Sequence, residues 1–481
     1  MTADARRQTP SLPDSIQKIH LIGICGTGMG SLAGMLAESG YTVRGSDRGA
    51  YPPMSTWLEA RGIQIMEGYL AEHLDWDPDL VVVGNVCRRD NPESVAAIAS
   101  GRAHVSFPEA IRLLYLRGKA PLVVTGTHGK TTTSSLLAWL LFSADLDPAF
   151  MIGGITGNFG SNYRLGDGPY FVVEGDEYDS AWFDKVPKFW HYEPRCATIN
   201  NIEFDHGDIY PDLEEILSVF TKFSALLPDD GALWVNGDDP LAMCAAAAAS
   251  CPVRTFGLGA GNHLRSSAIR HDSNGIEVDL VEDGAPLGTF RLPMPGEHNA
   301  RNLMGALALA REAGVDLETI RAALPAFASV KKRQEIKGEA AGVRVYDDFA
   351  HHPTAVRETL GALRLRHPDQ KIWAVFEAKS NTSRMSVFQE DWPPAFASAD
   401  EVILSSPWKK DAHLNDSERI DLGRVAEEIR ALGPPTEMIP AVPDIVEHLA
   451  ARVESGDVVV GLSGSNFGGF HDLLLERLGR H

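Results

Sequence analysis

One short segment constrains the fold of this chain more than any other: the glycine-rich sequence GTHGKTTT, from Gly126 to Thr133. It directly follows the apolar run LVVT, which is typical of a buried strand, and it precedes the helical run SSLLAWLLF. A strand, a glycine loop and a helix in this order predict an α/β domain with the loop at the carboxyl end of a parallel strand.

Such a loop binds phosphate, because its backbone N–H groups and the amino-terminus of the following helix surround the phosphates of a nucleotide. Lys130 adds a positive charge for the terminal phosphate, and the hydroxyl of Thr131 is suited to magnesium. The general pattern GxxxxGK[ST] would need glycine at Val124, so this loop is shorter. A plain strand-to-helix turn, however, does not require Lys130, Thr131 and Thr132 in succession. We therefore predict a phosphate-binding loop.

Segments on both sides of the loop region also alternate between strand and helix patterns. The predicted strands span 19–24, 41–45 and 80–84, then 122–125, 170–174 and 196–200, and finally 343–346, 371–377, 401–404 and 457–462. With 481 residues and roughly 150 residues per domain, the chain is expected to form about three α/β domains. We predict their bounds as 1–118, 119–327 and 328–481.

The composition excludes several classes of protein. The chain has 44 Lys and Arg against 65 Asp and Glu, a net charge of -21, which disfavours non-specific binding to nucleic acid. Neither the segment MTADARRQTPSLPDS nor any later run is apolar enough for a signal peptide or a membrane span. Five scattered cysteines without a CxxC pair argue against a disulfide framework or a structural zinc site. We expect a cytoplasmic protein that binds neither nucleic acid nor membrane.

Two further segments carry possible ligands for the site. Glu174 ends a predicted strand, and His206 follows another one in NNIEFDHGD, so both are expected at the same edge of a parallel sheet. A carboxylate and an imidazole beside the phosphate loop could hold a metal ion that bridges ATP and an acyl phosphate. Each residue on its own is more often an ordinary polar group.

The first apolar run leads into a second glycine loop, GICGTGMG, from Gly23 to Gly30. It does not match GxGxxG in register, and Asp47 follows the next predicted strand, where an acidic side chain could bind a ribose hydroxyl. The physical argument leaves the ligand open between a dinucleotide and another nucleotide diphosphate.

Four motifs in order give the chain a family resemblance: GTHGKTT, then PGEHNARN at 295–302, VKKRQE at 330–335 and YDDFAHHPT at 346–354. This set resembles the Mur ligases, which use ATP and Mg²⁺ to add amino acids or peptides to UDP-N-acetylmuramate. The resemblance spans nearly the whole chain. It implies a Rossmann-like UDP-binding domain, a central ATP-binding domain with the phosphate loop, and a Rossmann-like C-terminal domain that binds the amino acid or peptide.

The resemblance also implies roles for individual residues. Contacts to UDP are implied for Gly26, Thr27, Gly28, Met29, Gly30, Ser46 and Asp47. Contacts to ATP are implied for Gly126, Thr127, His128, Gly129, Lys130, Thr131, Thr132, Asn299, Asn302, Arg333 and Asp348. Magnesium would be bound by Thr131, Glu174 and His206, and the catalytic set is Lys130, Glu174, His206, Arg333 and Asp348. The asparagine pair could instead cap a helix, and Asp347 with Asp348 could simply end a strand.

Other strings indicate the branch of the family, among them GICGTGMG, YPPMSTWLE, GNVCRRDNP, EYDSAWFDKVPKFWHYEPR, EAKSNTSRM and GSNFGGFH. They resemble the members that attach the murein tripeptide L-alanyl-γ-D-glutamyl-meso-diaminopimelate to UDP-N-acetylmuramate in peptidoglycan recycling. The alternative is the branch that attaches L-alanine, which has a sequence near QPHRYTR where this chain has EAKSNT. The tripeptide branch usually has EPRSNT, so Ala378 and Lys379 depart from it, and Lys cannot supply the bidentate fork of Arg.

The resemblance places peptide binding in the C-terminal domain, at His352, Lys379, Ser380, Asn381 and Thr382. In the alternative interpretation, this segment is a strand-to-helix turn in which Ser380 or Asn381 caps the next helix. Some relatives carry a carbamylated lysine as a metal ligand, and whether Lys222 plays that part is left open. A monomer or weak homodimer that supports cell shape and division is implied.

Two other classes of function use the same loops. A nicotinamide dehydrogenase would account for the first glycine loop but would leave GTHGKTT without a role. A regulatory module would bind ATP without turnover, so substrate-dependent release of phosphate distinguishes it from a ligase.

Overall fold

The computed structural model describes residues 13, 15–50, 54–207, 209–405 and 418–480. Most of the segment on which the signal-peptide expectation was based, and residues 51–53 of the YPPMSTWLE string, lie outside the described residues. The described chain forms three α/β units in sequence, each around its own main sheet, as predicted. Within those residues, no helix combines the length and apolar character that crossing a bilayer requires.

The first unit is a parallel sheet flanked by helices. Its strands are β1 (Lys18–Ile22), β2 (Thr42–Asp47), β3 (Gln64–Glu67), β4 (Leu80–Val83) and β5 (His104–Ser106). Its helices are α1 (Thr27–Glu38), α2 (Met54–Glu59), α3 (Pro92–Ala99) and α4 (Phe107–Ile111). The strand order β3-β2-β1-β4-β5 reverses direction between β1 and β4, and ligands bind at such a switch point. The first glycine loop follows β1 and therefore lies there.

The central unit contains the phosphate loop between β6 (Ala120–Thr125) and α5 (Lys130–Ser143). Its other strands are β7 (Ala149–Met151), β8 (Tyr163–Arg164), β9 (Tyr170–Glu174), β10 (Asp179–Ala181), β11 (Asp184–Pro187), β12 (Cys196–Ile199), β13 (Ala232–Asn236), β14 (Val253–Gly257), β15 (Leu264–Asp272), β16 (Gly275–Glu282) and β17 (Ala285–Leu292). Its other helices are α6 (Leu213–Ser224), α7 (Pro240–Ala246), α8 (Glu297–Glu312) and α9 (Leu317–Ala323).

The order of the central sheet brings the predicted site residues together. β10 and β11 form a separate hairpin, and the main sheet runs β17-β16-β15-β14-β13-β12-β6-β9-β7-β8. The strand before the phosphate loop, β6, is parallel to both β9 and β12, and these two precede the segments with Glu174 and His206. The antiparallel strands β15 to β17 were not among the predicted strands; they extend one edge of the sheet away from the loop.

The third unit is again mostly parallel. Its strands are β18 (Glu335–Ala340), β19 (Val343–Asp348), β20 (Ile372–Glu377), β21 (Glu401–Ser405), β22 (Thr436–Met438) and β23 (Val458–Leu462). Its helices are α10 (Pro353–Arg366), α11 (Trp392–Ala395), α12 (Leu422–Leu432), α13 (Val442–Ala450) and α14 (Phe470–Leu478). The strand order is β18-β19-β23-β20-β21-β22, and β18 alone is antiparallel within this sheet.

Buried apolar packing joins the first unit to the central unit, whereas the third unit has a separate core. One continuous cluster of buried apolar side chains runs through the first and central units, whereas the main clusters of the third unit contain only its own buried residues. Polar contacts such as Tyr163 to Glu38, at 2.6 Å between the phenol oxygen and Oε1, reinforce the first junction. The exact domain bounds at 118 and 327 stay predictions.

Candidate active site

A cleft of about 1320 Å³ lies between the central and third units, and Thr27 of the first unit reaches its wall. Many residues predicted from the sequence line it: Thr127, His128, Gly129, Lys130, Thr131, Thr132, Glu174, His206, Asn299, Asn302, Arg333, Asp348, His352, Lys379, Ser380 and Asn381. A volume above the usual range of roughly 300–1,000 Å³ for small-molecule pockets is suited to more than one substrate.

The glycines of the phosphate loop are required by its geometry. Gly126 and Gly129 have φ angles of +130° and +79°, which side chains rarely tolerate. A Cβ on Gly129 would lie 2.3 Å from the Oδ1 of Asn302, so the loop can approach α8 closely only with glycine there. The first helical residue of α5 is Lys130, which puts the loop at a helix amino-terminus.

Lys130 is held by a carboxylate that the sequence did not single out. Its Nζ donates to both oxygens of Glu177, at 3.0 and 2.8 Å, and to the carbonyl oxygens of Gly126 and Thr127, at 2.6 and 3.2 Å. Burial opposes the charge of the lysine, but the carboxylates of Glu177 and Asp176 prevail and raise the pKa of Lys130. The ammonium group is therefore charged and fixed beside the loop.

Glu174, the last residue of β9, contacts the first turn of α5. Its Oε1 accepts from the hydroxyl of Thr131 at 2.9 Å, and its Oε2 accepts from the backbone N–H of Gly153 at 2.7 Å. Burial raises the pKa of Glu174 in spite of these two donors. A buried carboxylate whose pKa is raised by desolvation is stabilised by a nearby cation, which fits the predicted magnesium role of Thr131 and Glu174.

His206 approaches the same region from the end of β12. Its Nε2 is 3.0 Å from Oε1 of Glu177, and its backbone has a φ of +55°, an unusual conformation for a residue with a side chain. The Nδ1 atom is buried and has no hydrogen-bond partner. Burial opposes protonation of His206, but Glu177 and Asp205 raise its pKa. An imidazole oriented by a carboxylate, with one nitrogen unsatisfied, fits a metal ligand.

The three predicted magnesium residues thus belong to two hydrogen-bonded pairs, the second of which includes Glu177. Thr131 is bonded to Glu174, whereas His206 is bonded to Glu177. Lys130 contacts Glu177 directly and is attracted to the charge of Glu174. Their roles as ligands stay predictions.

Asn299 and Asn302 connect α8 to the phosphate loop. The side-chain amide of Asn299 donates to the carbonyl of Pro295 at 2.7 Å, and the amide of Asn302 donates to Asn299 Oδ1 at 3.1 Å. Asn302 Oδ1 accepts from the hydroxyl of Thr133 at 3.2 Å. The helix-capping alternative does not describe this geometry, because Gly296 is the N-cap and receives no side-chain cap. Contact of either asparagine with ATP stays a prediction.

Arg333 and Asp348 come from the third unit. The guanidinium of Arg333 stacks over the ring of Phe349, 5.2 Å from its centroid. Asp348 ends β19 and is buried; its oxygens accept from the backbone N–H groups of Gln334 and Ala350, each at 2.8 Å. Burial raises the pKa of Asp348, which the charge of Arg333 partly offsets. These two bonds fix the start of β18 and the turn after β19. Asp348 therefore has a structural role in addition to its predicted contact with ATP.

The predicted peptide-binding segment is divided by the structure. Lys379, Ser380 and Asn381 line the cleft, whereas the buried hydroxyl of Thr382 donates to a carboxylate oxygen of Asp205 in the central unit. Ser380 Oγ accepts from the backbone N–H of Ser383 at 3.0 Å, which stabilises the short helical turn that follows, although the N-cap residue of that turn is Asn381 and makes no side-chain cap. Both interpretations of this segment thus have support in the geometry.

The first glycine loop is fixed by the end of β2. The backbone carbonyl of Ser46 accepts from Gly23 and Ile24, at 2.8 and 3.1 Å, and Asp47 Oδ2 accepts from the backbone N–H of Cys25 at 2.8 Å. The hydroxyl of Ser46 donates its proton to the buried Glu93 at 2.6 Å, so it could only accept a hydrogen bond from a ligand. Contact of Ser46 with UDP stays a prediction.

The other predicted UDP residues lie at the start of α1. The N-cap of this helix is Gly26, Thr27 is its first residue, and Gly28 and Gly30 are packed against neighbouring side chains. The side chain of Met29 is buried in the core, which leaves its backbone for any contact with UDP.

Lys222 does not belong to the cleft. It lies exposed near the end of α6, and its ammonium stacks over the ring of Trp190 at 5.4 Å. Position and exposure both disfavour a carbamylated metal ligand there.

Comparison with known proteins identifies the family. Three family models match consecutive parts of the chain: the Mur ligase family catalytic domain at residues 18–118, the Mur ligase middle domain at 124–310 and the Mur ligase glutamate ligase domain at 332–465. The chain belongs to the Mur ligase family. Membership confirms the predicted class of enzyme, an ATP-dependent ligase that forms a C–N bond.

Individual relatives cover nearly the whole chain. The UDP-N-acetylmuramate–L-alanyl-γ-D-glutamyl-meso-2,6-diaminoheptandioate ligase of Escherichia coli is 39% identical over 96% of this chain and 98% of its own length. The structure of a murein peptide ligase from Psychrobacter arcticus matches with a TM-score of 0.72 and 34% identity over 97% of this chain and 99% of that chain. The UDP-N-acetylmuramate–alanine ligase of Thermotoga maritima matches with a TM-score of 0.79 and 25% identity, over 96% of this chain and 98% of that chain.

Sequence reasoning missed two residues of this Mur ligase site. Glu177 holds both Lys130 and His206, and Asp205 holds Thr382 of the third unit. The run GDEYD contains three acidic residues directly after β9, and this was the available signal for Glu177. Which of the three would turn toward the loop was decided by the chain path after Glu174.

Proposed function

We propose that this Mur ligase joins UDP-N-acetylmuramate to the tripeptide L-alanyl-γ-D-glutamyl-meso-diaminopimelate in peptidoglycan recycling, with ATP and Mg²⁺. The observation that carries this proposal is the 39% identity, over almost the full length of both chains, to the Escherichia coli ligase whose name states that acceptor. The cleft supports it, because its walls come from the phosphate loop on one side and from the segment around Lys379 on the other.

The chemistry follows from the charges in the cleft. The lactyl carboxylate of UDP-N-acetylmuramate attacks the γ-phosphorus of ATP, which forms an acyl phosphate and releases ADP. Lys130 would stabilise the negative charge on the transferred phosphoryl group, since its ammonium is already fixed at the loop by Glu177. A magnesium ion held by Thr131, Glu174 and His206 would neutralise further charge on the phosphates.

The second step takes place at the acyl carbon. The α-amine of the tripeptide attacks, a tetrahedral intermediate forms, and phosphate leaves. Arg333 and Asp348, which line the cleft, would bring the third unit over the nucleotide, while Lys379, Ser380 and Asn381 would hold the peptide. Closure of that unit would keep water away from the acyl phosphate.

A second candidate is ligation of free L-alanine. The higher TM-score of the Thermotoga maritima structure, 0.79 against 0.72, favours it. A TM-score reflects the placement of the backbone in three domains rather than the side chains that contact the acceptor, so we prefer the tripeptide.

An acceptor screen separates the two. UDP-N-acetylmuramate, ATP and Mg²⁺ are supplied with the tripeptide or with L-alanine, and phosphate release is measured together with the mass of the UDP-linked product. We expect turnover with the tripeptide to exceed that with L-alanine by a large factor. Efficient use of L-alanine without tripeptide turnover would establish the second candidate instead.

We also propose that the domains are divided after Gly118 and Phe327 and that the enzyme acts in the cytoplasm as a monomer or weak homodimer. The family matches support both divisions, since the first ends at 118 and the second begins at 124, and the second ends at 310 and the third begins at 332. Sedimentation velocity over a range of concentrations measures the oligomeric state.

A further inference from the structure

Two imidazoles and a carboxylate converge where the third unit meets the phosphate loop. Nε2 of His128 lies 3.0 Å from Oε2 of Glu203, and Nδ1 of His352 lies 3.6 Å from the same oxygen. One ligand atom from each of the three residues lies within 4.8 Å of the other two. The residues come from different elements, since His128 is in the loop, Glu203 follows β12 and His352 is the N-cap of α10.

The protonation of His352 and Glu203 suits a metal ion, and His128 would give up the Nε2 proton that it donates to Glu203. Nε2 of His352 is 3.2 Å from the carbonyl oxygen of Phe204, which can only accept, so Nε2 carries the proton and Nδ1 presents its lone pair. Burial, helped by the neighbouring His128, lowers the pKa of His352 to about 4, so the imidazole is neutral near pH 7. Although burial opposes it, the hydrogen bond from His128 lowers the pKa of Glu203 to about 2, so Glu203 is a carboxylate.

The spacing of the three donors is compatible with a transition-metal site as well as with a hydrogen-bond network. Around a tetrahedral ion with bonds of about 2.0–2.1 Å, neighbouring ligand atoms are roughly 3.3 Å apart, which the 3.0 and 3.6 Å separations bracket. A metal would replace two contacts: the bond from the N–H of Thr354 to Nδ1 of His352, at 3.2 Å, and the bond from Nε2 of His128 to Glu203, at 3.0 Å. Two histidines and one glutamate are a known set for zinc with an open fourth position, whereas magnesium prefers oxygen ligands.

We propose that His128, Glu203 and His352 bind a zinc-class divalent metal ion, separate from the predicted magnesium residues and independent of which acceptor the ligase uses. Because His128 and Glu203 belong to the central unit and His352 to the third, the ion joins the two across the cleft. Its fourth position is open to water or to an anionic group in the cleft.

Cobalt spectroscopy on the full-length protein tests this site. Co²⁺ is titrated into protein that is saturated with Mg²⁺, because Mg²⁺ then occupies the oxygen-rich sites. The visible absorption of bound Co²⁺ distinguishes tetrahedral from octahedral coordination. The wild type should show intense tetrahedral bands that saturate at one equivalent and are displaced by Zn²⁺. His352→Gln and Glu203→Gln should each weaken binding by at least about tenfold.

Two matched variants serve as controls. His351→Gln changes the adjacent histidine of the cleft, which is outside the cluster, and Glu174→Gln changes a predicted magnesium ligand. Both should retain the cobalt bands. Only weak octahedral absorption in the wild type, or tetrahedral bands that persist in both His352→Gln and Glu203→Gln, would overturn the proposal. Because these two variants alter different domains, circular dichroism of both identifies any loss that is due to misfolding, and zinc dialysis of the wild type gives the stoichiometry independently.

Discussion

The molecule contains two glycine loops that differ in what surrounds them. Both follow the first strand of a parallel sheet, β1 or β6, and both lead into a helix, α1 or α5. In the first unit, the carbonyl of Ser46 and the carboxylate of Asp47 accept hydrogen bonds from the backbone of the loop, and the side chain of Met29 is buried in the core. The loop in the central unit has Lys130, and the acidic groups Glu174 and Glu177 contact its helix from the neighbouring segment.

The difference shows how one backbone arrangement serves two nucleotides. Backbone N–H groups at a helix amino-terminus attract any phosphate, and both loops offer them. The side chains that the adjacent segments place beside each loop decide which chemistry the loop supports. The lysine, carboxylates and histidine of the central loop can stabilise charge that moves during a reaction, whereas the Asp47 side chain can hold a ligand but supplies no cation. The comparison predicts that changes in the central loop affect rate and changes in the first loop affect binding.

The largest effect is expected for Lys130→Ala. Loss of the charge at the terminal phosphate should reduce ligation by a hundredfold or more, because the interaction is strongest in the transition state. Calorimetry should still detect UDP-N-acetylmuramate binding close to that of the wild type, while the reciprocal change Asp47→Ala should weaken that binding and leave ATP binding intact. Loss of UDP-N-acetylmuramate binding in Lys130→Ala would contradict the separation of the two loops.

Glu177→Gln should come next, with a reduction in kcat of about ten- to a hundredfold. This change keeps the shape of the side chain but removes the charge that holds Lys130 and orients His206. Asp179→Asn is the matched control, because this carboxylate of the same acidic run is paired with Lys185 at 2.6 Å and lies outside the cleft lining. Steady-state kinetics at saturating substrates measures kcat for both variants. An equal loss of kcat in the two would mean that the total negative charge near the loop matters, rather than Glu177 itself.

Glu174→Gln and His206→Ala should each raise the Mg²⁺ concentration needed for half-maximal activity, by about tenfold. Glu174 is adjacent to Thr131 and His206 has a buried Nδ1 without a partner, so each change removes a proposed ligand. Magnesium titrations of ATP binding provide the measurement without turnover. Unchanged titrations in both variants would remove these residues from the metal site.

The smallest effect is expected in the third unit. Lys379→Ala and Asn381→Ala should raise the KM for the tripeptide by about two- to fivefold and leave the KM for ATP nearly unchanged. The effect is small because the ammonium of Lys379 is about a third exposed and lies 3.8 Å from Glu377, so water and a carboxylate already screen it. A rise in the KM for ATP alone would assign this segment to the nucleotide instead.

The contrast between the loops also explains which parts of the fold could be predicted. Strands such as 80–84 and 122–125 were correct because parallel strands covered on both faces are continuous apolar runs bounded by polar residues. The antiparallel strands β15 to β17 escaped detection, since β15 alternates exposed and half-buried residues and carries no such run. Their pairing depends on neighbours in the sheet rather than on a local pattern.

The sequence by itself determined the family, the α/β class and the residues next to the phosphate, because a strand, a glycine loop and Lys130 are consecutive and the physics that joins them is local. Only the tertiary structure decided the partners of those residues. Glu177 lies 47 positions from Lys130, and Thr382 lies 177 positions from Asp205. The directions of such side chains depend on how strands are ordered and domains packed, so distant residues meet, as at His128 and His352, without any pattern along the chain.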